Sequence, residues 1–146
     1  VAAAVAVNAV GGIWDYTKGQ ILAGPRKAGG GFDDSVELLL QGGANAEAGP
    51  VNTTIGLVAT DARITKEDAN YLARISHDGL ALAIRPCHTD RDGDTMFAMA
   101  TGHNQSTVDL TALGAAAVEV TAQAVLRAVR LATGLGGIPS VSELGA

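Results

Sequence analysis

The chain has few aromatic residues and almost no cysteine, and each shortage argues against a class of protein. Aromatic side chains make up only 3% of the 146 residues, and the single cysteine is Cys87. One cysteine cannot form an internal disulfide, which favours a reducing, cytoplasmic setting. The net charge is −5 and no run of Lys or Arg occurs, so the basic, base-stacking surfaces that bind nucleic acid are not expected.

No apolar stretch has the length and flanks of a membrane span or a signal peptide, so we predict no membrane partner. What the chain does contain is 47% hydrophobic residues, mostly small and aliphatic, enough to bury the core of one domain spanning residues 1–146. Its opening run, Val1 to Val10, is apolar at nearly every position, which is typical of a strand covered on both faces. We expect the strand's partners N-terminal to Val1, which makes this chain the C-terminal part of a larger precursor.

Turn residues and hydrophobic periodicity divide the rest of the chain into strands, a linker and two helices. Residues 23–50 are rich in Gly and polar side chains and predict a Gly-rich linker. Thr65 is expected to cap a helix that Pro86 ends. Four positions of that helix fall on one face: Leu72, Ile75, Gly79 and Leu82. The other predicted elements are strands at 13–16, 53–61 and 95–101 and a helix from about 107 to 133 whose Leu113, Ala117, Val120 and Ala124 would lie against a sheet. This order predicts an α/β fold with a mixed sheet.

The junction between Asn52 and Thr53 has the pattern of a self-cleavage site. A hydroxyl at the start of a buried strand can attack the preceding carbonyl, and the freed α-amine can then act as the base of the same residue. We therefore predict Thr53 as a latent N-terminal nucleophile, with autocleavage after Asn52. The alternative is an ordinary strand entered through a polar turn, because β-branched residues simply suit strands.

Three carboxylates alternate along a polar loop, at Asp90, Asp92 and Asp94. In an extended segment they point to one side, and in a tight turn at Gly93 they converge. One interpretation is that Asp92 and Asp94 orient the hydroxyl or amine of the nucleophile. The other is a solvated acidic turn before a strand.

Ligand sites receive little support from the sequence. The loop fails as an EF-hand because its sixth and twelfth positions hold Thr95 and Thr101 in place of Gly and Glu. His88 with the nearby acids has no recognised ligand spacing for a transition metal. The Gly-rich loop from Ala28 to Phe32 lacks the Gly-Lys-Ser/Thr ending of a phosphate-binding loop. We therefore predict neither a metal nor a cofactor.

Other polar residues carry weaker signals. Asn8 follows the first strand, and its side-chain amide can donate a hydrogen bond to a developing oxyanion. His77 lies on the capped helix and His103 in a predicted loop, and neither has an acidic partner in sequence. Cys87 follows Pro86 and is interpreted as a small packed residue.

Three segments in this order resemble one known family. They are Val5 to Gly11 around Asn8, Asn52 to Gly56, and His88 to Ala98 with its Asp-Gly-Asp turn. The pattern is similar to the autoprocessing aminopeptidases, which include β-peptidyl aminopeptidases, L-aminopeptidase/D-esterases and nylon-oligomer hydrolases. Thr as the nucleophile and the Asp-Gly-Asp turn most resemble the nylon-oligomer hydrolases, which cut amides of 6-aminohexanoate. The aminopeptidase members use Ser at that position.

The resemblance implies a layered αββα sandwich of the N-terminal nucleophile hydrolase type. Residues 1–52 would end the large subunit and residues 53–146 would form the small subunit. Further active-site groups, including a Lys or Tyr, would come from the N-terminal remainder of the precursor. The resemblance also implies a homo-oligomer such as a tetramer.

The same resemblance assigns roles to four residues of this chain. Thr53 would be the nucleophile, Asn8 would stabilise the oxyanion, and Asp92 and Asp94 would position the nucleophile and its amine. The implied activity is hydrolysis of 6-aminohexanoate-oligomer amides through an acyl-enzyme. The alternatives are an aminopeptidase for peptides or β-peptides, and a non-catalytic relative that serves as an assembly or binding module.

Overall fold

The computed structural model describes residues 1–42 and 52–144. The described strands are β1 (Ala2–Ala6), β2 (Gly12–Asp15), β3 (Gln20–Ala23), β4 (Ile55–Ala62), β5 (Ile84–Arg85) and β6 (Thr95–Asn104). The described helices are α1 (Ser35–Leu40), α2 (Lys66–Ala83) and α3 (Leu110–Leu131), with a short 3-10 turn at Ser142–Leu144.

Two three-stranded sheets organise these elements. In the first sheet β4 is central, antiparallel to β1 and parallel to β6. The register pairs Ala4 with Leu57 and Leu57 with Phe97. In the second sheet β2 is central and runs antiparallel to both β3 and β5. The predicted α/β fold with a mixed sheet is confirmed.

Helix α2 begins and ends at the predicted signals. The Thr65 hydroxyl accepts from the Asp68 amide at 3.1 Å, and the Asp68 carboxylate accepts from the Thr65 amide at 3.0 Å, which completes a capping box. The helix ends at Ala83, before Pro86. Leu72 and Gly79 are buried as predicted, but Leu82 is 41% exposed. The prediction that Leu82 lies on the buried face was wrong, because Leu80 and Ala83 take the inward positions of the last turn.

Helix α3 packs on α2 and on β1. Asp109 caps its first turn, and the fully or nearly buried residues recur along one face: Leu113, Ala117, Thr121 and Val125. Val120 and Ala124, which were predicted for the buried face, are half-buried at its edge. By length and composition α3 is the one described helix that could cross a membrane, a property that core helices share.

The face of the first sheet opposite the helices is apolar and open. Ile55, Phe97 and Met99 are 51%, 56% and 50% exposed on it, and Leu57 lies between Ala4 and Phe97. Within the described residues, β1 therefore alternates between exposed and half-buried positions and is not covered on both faces. The αββα sandwich, which would place a second sheet here, stays a prediction.

The segment predicted as a Gly-rich linker is partly ordered into regular structure. Strand β3 ends at Ala23, Arg26 bridges to Phe32, and α1 spans Ser35–Leu40. The Asp34 carboxylate caps α1 by accepting from the Val36 amide at 2.8 Å. Residues 43–50 of the predicted linker lie outside the described residues.

Candidate active site

Thr53 lies at the entrance to β4, between two backbone partners. Its amide donates to the Asn8 carbonyl at 2.8 Å, and its hydroxyl donates to the Asn52 carbonyl at 2.6 Å. The side chain is half-buried, so the hydroxyl is neither freely solvated nor locked in the core. The hydroxyl therefore rests against the carbonyl of the bond that it would have to attack.

A second donor reaches the same carbonyl oxygen. The Gly93 amide donates to the Asn52 carbonyl at 2.8 Å, and the Asn52 amide donates to the Arg91 carbonyl at 3.2 Å. A Cβ at position 93 would lie 2.9 Å from the Thr53 Oγ1, closer than real Cβ contacts allow. Glycine is thus needed for this close approach. A backbone N–H aimed at a carbonyl oxygen is the arrangement that stabilises an oxyanion.

Asp94 fixes the residue that follows Thr53. Its side chain is only 3% exposed, and its Oδ1 accepts from the Thr54 amide at 2.8 Å. Its Oδ2 lies 2.9 Å from His88 Nδ1 and 3.6 Å from the Cys87 sulfur. The carboxylate thus connects the start of β4 to the loop before β6.

Asp92 ties the segment after β1 to that same loop. Its Oδ1 accepts from the Val10 amide at 3.1 Å, and its Oδ2 accepts from the Thr89 amide at 3.0 Å and the Thr89 hydroxyl at 2.6 Å. Asp90 is exposed, and its carboxylate has no hydrogen bond within the described chain. The three acids therefore do not crowd together, since only Asp92 and Asp94 turn toward Thr53's neighbourhood.

Asn8 is brought next to Thr53, but through its main chain. The Asn8 carbonyl accepts from the Thr53 amide, and among described residues the Asn8 side chain makes no hydrogen bond. Its role as an oxyanion donor stays a prediction. The Gly93 amide, a backbone group that no residue pattern marks in the sequence, is the donor that contacts the Asn52 oxygen.

The histidines separate into two surroundings. His77 Nδ1 lies 3.2 Å from His88 Nε2, and burial, followed by the neighbouring His88, lowers the pKa of His77. His103 lies exposed in β6, so its predicted loop position was wrong because the strand runs on to Asn104. The sequence places His88 near the acids of its own loop, including Asp94, which it contacts, whereas its contact with His77 forms only in the fold.

Cys87 packs against the core, as predicted. Burial, followed by the Asp94 carboxylate, raises the pKa of the Cys87 thiol to about 12. A nucleophilic cysteine needs a lowered pKa, so this thiol is protonated and unreactive as a nucleophile near neutral pH.

Comparison with known families places the chain among the peptidases. Residues 1–141 match the sequence model of Peptidase family S58. The chain therefore belongs to peptidase family S58, which confirms the family predicted from Asn8, Thr53 and the Asp-Gly-Asp turn.

Individual relatives carry two kinds of name. An uncharacterized aminopeptidase of Mycobacterium tuberculosis is 42% identical over 108 residues, 65% of this chain and 31% of the relative. Two proteins named 6-aminohexanoate-oligomer endohydrolase are also similar. The one from a Kocuria species is 38% identical over 90 residues, 54% of this chain and 25% of the relative. The one from an Agromyces species is 40% identical over 93 residues, 56% and 26% of the two chains. The chain thus spans less than a third of the length of these relatives.

Proposed function

We propose that this protein is an autoproteolytic amide hydrolase whose nucleophile is Thr53, freed by cleavage of the Asn52–Thr53 bond. The observation that carries the proposal is the pair of hydrogen bonds on the Asn52 carbonyl oxygen, from the Thr53 hydroxyl and the Gly93 amide. A reacting hydroxyl and an oxyanion donor thus meet at one peptide bond.

The cleavage step follows from this geometry. The Thr53 oxygen attacks the Asn52 carbonyl carbon, and the Gly93 amide holds the negative charge that develops on the carbonyl oxygen. The carbon–nitrogen bond then breaks, the acyl group stays on the Thr53 oxygen as an ester, and the hydroxyl proton ends on the new amine. Water hydrolyses the ester, which leaves a carboxylate on Asn52 and a free amine and hydroxyl on Thr53.

The same hydroxyl then serves substrate hydrolysis. The free amine, with a reference pKa of about 7.7 to 8.0, accepts the hydroxyl proton as the oxygen attacks a substrate amide and forms an acyl-enzyme. Asp94 holds the Thr54 amide and Asp92 the Val10 amide, so both acids keep the strand ends around Thr53 in place. Their negative charge also favours the protonated amine, so activity should rise toward mildly alkaline pH.

The relatives suggest two substrate classes. Thr at the nucleophile position and the names of the Kocuria and Agromyces relatives favour oligomers of 6-aminohexanoate. Peptides or β-peptides are the alternative, favoured by the higher identity to the relative named an aminopeptidase. Parallel assays with a 6-aminohexanoate trimer, a β-peptide and an aminoacyl amide separate the two. A relative without catalysis would cleave none of them and would keep its chain intact.

The proposal includes partners beyond the described residues. The apolar face with Ile55, Phe97 and Met99 suits cover by the N-terminal remainder of a precursor, and the relatives are more than three times as long as the matched segments. We further propose a cytoplasmic homo-oligomer, such as a tetramer, that uses no cofactor.

The intact mass of the full-length protein under denaturing conditions tests the nucleophile. We expect two chains, the smaller beginning Thr53-Thr54-Ile55, and a single uncleaved chain for Thr53→Ala. Thr54→Val is the matched control, because the Thr54 hydroxyl is buried and has no partner among the described residues. Cleavage of Thr53→Ala at this bond would overturn the assignment.

A further inference from the structure

Beside the candidate active site, three side chains with different donor atoms converge. Cys87, His88 and Asp94 each offer one ligand atom, and these atoms lie within 4.8 Å of one another. His88 Nδ1 and the Cys87 sulfur both approach Asp94 Oδ2, at 2.9 Å and 3.6 Å. The other oxygen of Asp94 is occupied by the Thr54 amide. The cluster therefore uses the side of Asp94 that does not face the nucleophile's strand.

Cysteine sulfur, imidazole nitrogen and carboxylate oxygen are the three kinds of protein donor that bind zinc. Zinc lies about 2.0 to 2.3 Å from such donors, so donors of one ion stand roughly 3 to 4 Å apart. The sulfur–oxygen distance of 3.6 Å already meets this spacing, and the His88–Asp94 distance of 2.9 Å is that of a hydrogen bond whose proton an ion would replace. Three protein ligands with one open position are typical of accessible zinc sites.

His88 has a neighbour that can accept a hydrogen bond from the ring nitrogen that does not face the ion. Histidine ligands usually donate their second ring N–H to a neighbouring acceptor. His88 Nε2 lies 3.2 Å from His77 Nδ1, which can accept that hydrogen bond. His88 is also the one described non-glycine residue with a left-handed backbone, with a φ of 56°. A left-handed backbone is uncommon for non-glycine residues, although Asn, Asp and His adopt it more often than the others, and here it accompanies the turn that brings His88 to Asp94.

We propose that Cys87, His88 and Asp94 bind one thiophilic divalent cation such as Zn²⁺, with His77 as the outer partner of His88. On binding, the Cys87 thiol proton and the proton shared by His88 Nδ1 and Asp94 Oδ2 both pass to solvent, and His88 keeps its proton on Nε2 and presents Nδ1 to the ion. The thiolate and carboxylate then carry two negative charges that balance the ion. The fourth position is open to water because His88 is 39% exposed. If the proposed function holds, the ion would slow cleavage of the Asn52–Thr53 bond, because it binds the Asp94 carboxylate that also holds the Thr54 amide.

The test uses Co²⁺ and Zn²⁺ on the full-length protein. We expect a thiolate-to-cobalt charge-transfer absorbance and binding of one Zn²⁺ by calorimetry. Cys87→Ala should abolish the absorbance and weaken Zn²⁺ binding at least tenfold. His77→Gln should weaken binding about 10- to 100-fold, as the loss of an outer partner does. His103→Gln, an exposed histidine on β6, is the matched control and should bind as the wild type does.

Two results would overturn the site: no charge-transfer band in the wild type, or an unchanged band in Cys87→Ala. Cleavage after Asn52 is measured in parallel with a chelator present. A wild-type circular dichroism spectrum and a cooperative thermal unfolding transition show that Cys87→Ala is folded. A protein that cleaves but binds no ion rejects the metal site alone, and one that binds the ion but never cleaves rejects the hydrolase alone.

Discussion

At the scale of single residues, the contact that most constrains the proposed cleavage is the hydrogen bond from the Gly93 amide to the Asn52 carbonyl. Gly93 brings its amide to the Asn52 carbonyl and leaves room for the Thr53 hydroxyl. Asp92 and Asp94 on either side are held by other segments, so the amide between them has a fixed direction. The anchored carboxylates of Asp92 and Asp94 thus fix the position of the Gly93 amide, which is the hydrogen-bond donor.

Replacing Gly93 with Ala should therefore slow autocleavage strongly. The new Cβ would lie 2.9 Å from the Thr53 Oγ1, so the hydroxyl or the loop must move. A displacement of about 1 Å from a reactive geometry can cost roughly 100-fold in rate. Cleavage followed over time on denaturing gels measures the effect. Gly29→Ala, whose Cβ would meet nothing within 4 Å, is the control, and equal rates for both variants would contradict the role of Gly93.

A second residue-scale prediction concerns Asp15, which is fully buried and pairs with Arg130. The Thr17 hydroxyl donates to Asp15 at 2.6 Å, and this bond, followed by the charge of Arg130, lowers the pKa of Asp15. Asp15→Asn should cost about 1 to 3 kcal/mol of the free energy of unfolding at pH 7, because hydrogen bonds to a charged group are lost.

The sign of the pH dependence follows from the lowered pKa. The stabilisation by ionised Asp15 is present above the unfolded pKa, about 3.9, and is lost as pH falls through the lower folded value. The difference between wild type and Asp15→Asn in urea unfolding should therefore shrink below about pH 4. Asp61→Asn, at an exposed position of β4, serves as control. A difference that persists unchanged at lower pH would show that the charge is not what stabilises.

At the scale of elements, the contact between α2 and α3 depends on Gly79. A Cβ there would lie 2.4 Å from the Val118 carbonyl oxygen, a backbone atom that cannot turn aside. Gly79→Ala should destabilise the fold by about 1 to 3 kcal/mol, although Ala favours a helix. Gly114→Ala is the matched control on α3, because its Cβ meets the movable end of Tyr71. Thermal unfolding compares the two, and an equal or larger loss for Gly114→Ala would contradict the close helix contact.

Elements with strong local signals could be predicted from the sequence, and those that depend on distant partners could not. Thr65 and Pro86 bracket α2 because a cap and a missing N–H act within a few residues. Helix α1 was missed because one short apolar run among glycines gives too little periodicity, even with its Asp34 cap.

The candidate site also contains residues that the sequence predicts and contacts that only the fold creates. Thr53, Asp92 and Asp94 could be named because their residue types and spacing carry chemistry on their own. The contacts of Gly93 with Asn52, and of His88 with His77, join residues that only the packed fold brings together. A backbone amide has no sequence signature, so its part in the site could be found only from the structure.

At the scale of the whole molecule, the open apolar face of the first sheet should behave as a buried surface. In the full-length protein, Phe97→Thr combined with Met99→Thr should cost about 2 to 5 kcal/mol of stability, because large side chains lose apolar contacts. Thr95→Ser with Thr101→Ser, on the same face and strand, is the control. Chemical unfolding measures both, and an unchanged midpoint for the Phe97 and Met99 variant would show that nothing covers the face.

Thr53 lies just before the central strand of the first sheet, so cleavage before it would divide that sheet between two chains. The bond after Asn52 enters the central strand β4, whose neighbours β1 and β6 would belong to different pieces after the cut. The β1–β4 hydrogen bonds would then run between two separate chains, and the Asn8 carbonyl of one chain would accept from the new Thr53 amine of the other. The cleaved protein would thus migrate as a single complex in a native gel, and its two chains would separate only under denaturing conditions.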